Sequence, residues 1–234
     1  MLYYGMDRMY LLVVIATIVA IITSARVNSI FSKYSKIRSK SGMTGAQVAT
    51  KILKRNGIYD VNVETVHGKL SDHYDPRSKT IRLSESVYGS ASIAAIAVAA
   101  HECGHAIQHN EEYEFLKFRT AFLPVANIGN KLAWPIIMVG LFIGYGSFDF
   151  LIEIGILLFA ATVLFQVITL PVEFNASKRA LIILEDMGIL ASDEIPISKK
   201  VLNAAAKTYL TTAIVAILQL LRLLSIFGGR RRGR

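Results

Sequence analysis

Cysteine is almost missing from this chain. Cys103 stands alone among 234 residues, so no internal disulfide can form and nothing ties the protein to an oxidising compartment. Acid is scarce as well: 17 Asp and Glu face 26 Lys and Arg, a formal charge of +9. A basic chain can bind nucleic acid, but no aromatic-basic motif and no glycine-rich phosphate loop accompany these charges. Nucleic acid is therefore not an expected partner. Internal repeats and low-complexity tracts are absent too.

What the chain has in excess is apolar sequence. Hydrophobic residues make up 53% of it, more than an ordinary soluble domain carries, and they fall in runs. Residues 9–25 are almost wholly apolar and long enough to cross a thin hydrocarbon layer. Asp7 beside Arg8 and the lack of a small-residue cleavage site favour an uncleaved anchor over a signal peptide. Residues 26–60 hold eight Lys or Arg and a single acid, Asp60, which places that side in the cytoplasm. Residues 132–146 and 150–171 form two further runs, and the linker with Gly146, Ser147 and Asp149 carries no Lys or Arg. They read as a membrane hairpin whose tip faces outward. Residues 209–227 are apolar apart from Gln219 and Arg222, with Arg230, Arg231 and Arg232 following. Such a segment either spans or lies along the inner face.

Between the first and second runs lies a mixed region. Residues 45–55 read as a short amphipathic helix, with Thr44 as N-cap and Gly57 as C′ residue. Residues 61–66 alternate at period two and read as a strand, with a second at 80–83. His67-Gly68 and Asp75-Pro76 read as turns. A helix over Ser90–His109 is apolar on every face in its first half and too short to span, as a buried core helix would be.

That helix carries His101-Glu102-Cys103-Gly104-His105, an H-E-x-x-H motif. Four-residue spacing stacks the two imidazoles on one helical face, where both can bind one zinc ion. Glu102 lies about 100° round the helix, in reach of a water activated by the metal. A catalytic zinc needs a third protein ligand. His109 sits eight positions, about 12 Å, from His101 and cannot reach the same ion on a straight helix. Glu173 is the better candidate. The motif helix precedes the membrane hairpin and Glu173 follows it, so both return to one membrane face. Its plain alternative is a carboxylate at a helix start, favoured by the dipole. Cys103 reads as a small buried residue rather than a ligand. His73, Tyr74 and Arg179 are candidate oxyanion stabilisers, each with a structural alternative. The strand at 80–83 is a candidate for pairing with an extended substrate.

The stretches L-S-D-H-Y-D-P (70–76), H-E-C-G-H (101–105) and L-P-V-E-F-N-A-S (170–177) resemble the YugP-like family of neutral zinc metallopeptidases along nearly the whole chain. More distantly, the chain is similar to the membrane gluzincins, the heat-shock-type and CAAX-prenyl proteases. The resemblance implies that His101, His105 and Glu173 bind zinc and that Glu102 is the general base. One departure stands out: the gluzincin pattern E-x-x-A-D has Ser177 at its aspartate position, so the support that carboxylate would give a ligand or the substrate must differ or be missing.

The expected fold is a mainly α integral membrane protein with a zincin-like α+β catalytic core, a small sheet, the motif helix and a transmembrane hairpin. Its expected parts are an anchor at 1–25, a core at 26–120, the hairpin at 121–171, a third-ligand helical region at 172–208 and a C-terminal apolar segment with its tail at 209–234. The expected activity is that of a multi-pass, membrane-bound zinc endopeptidase with one Zn2+ per chain. Its site faces the cytoplasm, and its partners are the lipid bilayer and a peptide or membrane-protein substrate. Two alternatives are carried. One is an intramembrane protease of the site-2 class with Asp186 as third ligand. The other is a non-enzymatic scaffold whose zinc is structural, closed by four ligands.

Overall fold

The computed structural model describes residues 8–143 and 149–227. The hairpin tip at Gly146-Ser147 and the arginine tail lie outside them. The element order is α1 (Arg8–Tyr34), α2 (Gly45–Arg55), β1 (Asn62–Val66), β2 (His73–Asp75), β3 (Thr80–Ser84), α3 (Glu85–Tyr88), α4 (Ile93–Asn110), α5 (Glu114–Ile143), α6 (Asp149–Asp186) and α7 (Ile195–Phe227). The chain divides into two compact units.

One unit comprises residues 23–117 and 171–208. Its core gathers Val48 and Ile52 of α2, Ile81 and Leu83 of β3, the alanine-rich first half of α4, and Leu184 of α6. Alanine suits α4 because it is buried on nearly every side, and small side chains let neighbouring elements approach it closely. Ser92 caps α4, its hydroxyl accepting from the Ala95 N–H at 3.2 Å. Helix α2 matches its predicted span of 45–55, held by a capping box between Thr44 and Gln47. Gly57 follows it at φ +70°, the left-handed conformation of a C′ glycine.

The sheet departs from the sequence expectation. Its order is β1-β3-β2, with β1 parallel and β2 antiparallel to β3. The strand expected to receive a substrate, β3, is thus the central strand with a neighbour on each side. The unforeseen strand is β2, which holds His73 and Tyr74, two of the candidate oxyanion stabilisers, ahead of the turn at Asp75-Pro76. Three residues are too few for a period-two signal to register. The turn itself is present: Asp75 accepts from the Arg77 N–H at 3.0 Å and the Ser78 hydroxyl at 2.9 Å.

The other unit comprises residues 1–22, 118–170 and 209–234, described where the structure describes them. Helices α5 and α6 pack here through small residues. A Cβ on Gly129 would collide with the Leu158 carbonyl oxygen, and one on Gly155 would lie 2.9 Å from that of Ala133. The guanidinium of Arg222 in α7 sits over the Tyr10 ring of α1, 5.0 Å from its centroid.

Four helices, α1, α5, α6 and α7, are long and apolar enough to cross a membrane. They exceed the expected runs because polar turns extend them. Helix α5 begins at Glu114 rather than near 132 and continues through Pro124 and Pro135. Helix α6 runs through Pro171 to Asp186, so Glu173 lies well inside a helix and not at the start of one. Its alternative as a dipole-stabilising first-turn residue therefore falls away. The chain is not helical continuously from α6 to α7, and Pro196 occupies the first turn of α7, where its missing N–H costs nothing.

Candidate metal centre

Helix α4 presents His101 and His105 one turn apart, their rings 4.8 Å between centroids and nearly perpendicular. Helix α6 brings Glu173 against both. Its Oε2 lies 3.2 Å from His101 Nε2 and 3.6 Å from His105 Nε2. One donor atom from each of the three residues falls within 4.8 Å of the others. Among the described residues this is the one such gathering of three or more His, Cys, Asp or Glu side chains.

Two features let the helices come this close. Gly104 faces Ala176 of α6, and a Cβ there would sit 2.7 Å from the Ala176 carbonyl oxygen. Gln108, fully buried one turn beyond His105, reaches across to α6. Its Nε2 donates to the Val172 carbonyl at 2.8 Å and to Asn175 Oδ1 at 2.9 Å. The spacing of Gln108, three residues past His105 on the same face, was the available sequence signal.

Both imidazoles turn Nε2 toward Glu173, because a polar partner holds each Nδ1. His105 Nδ1 lies 3.0 Å from Gln108 Oε1, and His101 Nδ1 lies 3.1 Å from Ser177 Oγ. The residue that departs from the E-x-x-A-D pattern thus still touches a histidine, as a hydroxyl instead of a carboxylate.

Glu102 is buried, 7% exposed. Burial is the main cause that pushes its carboxyl up to about 7, helped by Glu173 and Asp72 and opposed by His101. The Tyr74 backbone N–H favours its charged form to a small extent, which puts edge strand β2 beside the site. Asp72, just before β2, accepts from the Ser84 N–H at 2.7 Å and from its hydroxyl. That bond fixes β2 to the end of β3.

The remaining candidates have other partners. The Tyr74 phenol, raised by burial to about 12, shares a 2.8 Å hydrogen bond with His109 Nδ1. His109 is thereby held away from the pair, as its spacing required. His73 turns Nδ1 to the Ser71 carbonyl at 2.8 Å. Arg179 is engaged by Glu111 at 2.7 Å and by Asn175. Cys103 packs on α2, with Sγ 3.6 Å from the Ala49 carbonyl, and burial raises its thiol far above the usual range. Asp186 is exposed at the end of α6, thirteen residues and about 20 Å along the axis from Glu173. It does not join the imidazoles, so the site-2-like ligand set is not assembled.

A protein of Bacillus subtilis (strain 168), described as "Putative membrane protease YugP", is 49% identical over 202 residues, covering 86% of this chain and 88% of the relative. No solved structure matches. A family model described as "Putative neutral zinc metallopeptidase" matches residues 9–228, a span that contains both helices of the centre, and the chain belongs to that family.

Proposed function

We propose that the protein is a membrane-bound zinc-dependent endopeptidase. The observation that carries this reading is the convergence of His101, His105 and Glu173 on one point, with Glu102 buried beside it. The donor set fits the metal. Two neutral imidazole nitrogens and one carboxylate oxygen are zinc ligands, whereas calcium and magnesium select oxygen alone. Three protein donors leave a position open, as catalytic sites do and structural sites do not. That argues against a purely structural zinc.

When bound, zinc polarises the scissile carbonyl and eases deprotonation of the attacking water. The protein's own residues do the rest. Glu102 accepts the proton of that water and returns it to the leaving amine. Its raised carboxyl suits both halves of the exchange near neutral pH. Strand β2, at the sheet edge with the Tyr74 backbone near Glu102, can align an extended peptide by backbone pairing.

The four apolar helices support a multi-pass protein. The basic stretch at 26–60 supports a cytoplasmic site, and a membrane-proximal or unfolded segment of a membrane protein is the substrate class that such a placement favours. Purified protein in detergent is expected to cleave an unfolded peptide, to stop with a chelator and to resume with zinc. Cleavage indifferent to the chelator, or none at all, would contradict the proposal.

A further inference from the structure

The hydrogen bonds behind His105 have a direction, and one end of the chain of contacts fixes it. Arg179 has N–H donors and no acceptor. Its Nε lies 2.7 Å from one side-chain atom of Asn175, so that atom must be the amide oxygen. The same oxygen lies 2.9 Å from the Gln108 side chain, which must therefore present its NH2 there. The Val172 carbonyl, 2.8 Å away, imposes the same orientation independently, since a carbonyl only accepts. With its NH2 committed to two oxygens, Gln108 can offer His105 only Oε1, at 3.0 Å. His105 then carries a proton on Nδ1, which leaves Nε2, the nitrogen turned toward Glu173, as the one that can bind the metal.

Glu111 anchors the outer end, 2.7 Å from Arg179 Nη1. The inner members are well shielded: Gln108 is fully buried and His105 is 8% exposed. His101 has no comparable device, because the Ser177 hydroxyl beside its Nδ1 can donate or accept by rotating.

We propose that Gln108, Asn175 and Arg179 form a polarity-locked relay that holds His105 in the tautomer able to bind the metal. They act as positioning residues for that ligand. This rests on the zinc reading above. The relay also joins the ligand-bearing stretches, since Val172 and Asn175 flank Glu173 while Gln108 follows His105.

The test uses the full-length protein in detergent and measures zinc affinity by chelator competition, with the visible spectrum of the cobalt(II)-substituted protein as a second readout. Gln108→Met keeps the volume and removes the hydrogen bonds. It is expected to weaken zinc binding by about 10- to 100-fold and to alter the cobalt spectrum. Asn175→Leu is expected to behave alike. Asn175→Asp offers only acceptor oxygens and preserves the direction of every bond, so it should stay within about threefold of wild type by the same reasoning. A merely structural contact would not separate Asp from Leu in the cobalt spectrum. The relay is overturned if Gln108→Met binds zinc like wild type with an unchanged spectrum, or if Asn175→Asp loses as much as Asn175→Leu. Wild type that takes up no zinc would overturn the metal reading itself, whereas wild type and Gln108→Met loading alike would overturn the relay alone.

Discussion

Gly104 and Ala176 meet backbone to side-chain position, with 2.7 Å between the Cβ that Gly104 lacks and the carbonyl oxygen of Ala176. This approach sets how near Glu173, three residues before Ala176, can come to the imidazoles on either side of Gly104.

Gly104→Ala must therefore push α4 and α6 apart. Overpacking of this kind costs about 1–3 kcal/mol, and here the displacement falls on the ligand geometry. The expected outcome is a lower thermal midpoint together with weaker zinc binding, read by calorimetry and chelator competition. A variant that binds zinc like wild type would show that the close approach does not position Glu173.

Glu102→Gln separates chemistry from binding. The amide keeps the shape but cannot accept the water's proton. Peptidase activity should fall by about 100- to 10,000-fold, while zinc content stays at the wild-type value. Equal cleavage by the variant would remove Glu102 from the role of base.

Asp72 gives a pH-dependent prediction. Burial raises its carboxyl above the usual value near 3.8 even though Ser84 donates to it. A carboxyl raised in the folded state favours folding below its unfolded value, and that contribution fades as pH rises through the folded value. Asp72→Asn keeps an acceptor for the Ser84 N–H and carries no charge. The difference in thermal midpoint between Asp72→Asn and wild type should thus shift in favour of the variant from pH 4 to pH 7. A difference independent of pH would mean that the charged form carries no burial penalty.

Much of this site was legible in advance, for identifiable reasons. His101, Glu102 and His105 sit on one helix, and local spacing alone fixes their relation. Glu173 lies 68 positions beyond His105 in the sequence, so spacing said nothing about its distance. What pointed to it was the return of the chain after two apolar runs, together with the family resemblance. The capping box at Thr44 and Gln47 was legible because it is wholly local.

Other features were hidden by their physics. Strand β2 exists through its pairing with β3 and the bond from Asp72 to Ser84, both tertiary contacts. The prolines at 124, 135 and 171 look like breaks, yet their helices continue past them. In helices this apolar, neighbouring side chains and backbone can satisfy the groups that proline frees. The spacing of Gln108 from His105 marks only a shared helical face, and its bond to Asn175, 67 positions away, leaves no mark in either helix.

The most direct test of the central claim is the zinc content of three purified proteins: wild type, Glu173→Ala and Asp186→Ala. Wild type and Asp186→Ala should each hold about one zinc per chain, as a single three-ligand catalytic site implies, and Glu173→Ala should hold almost none. A Glu173→Ala protein that keeps its zinc as tightly as wild type would contradict the account.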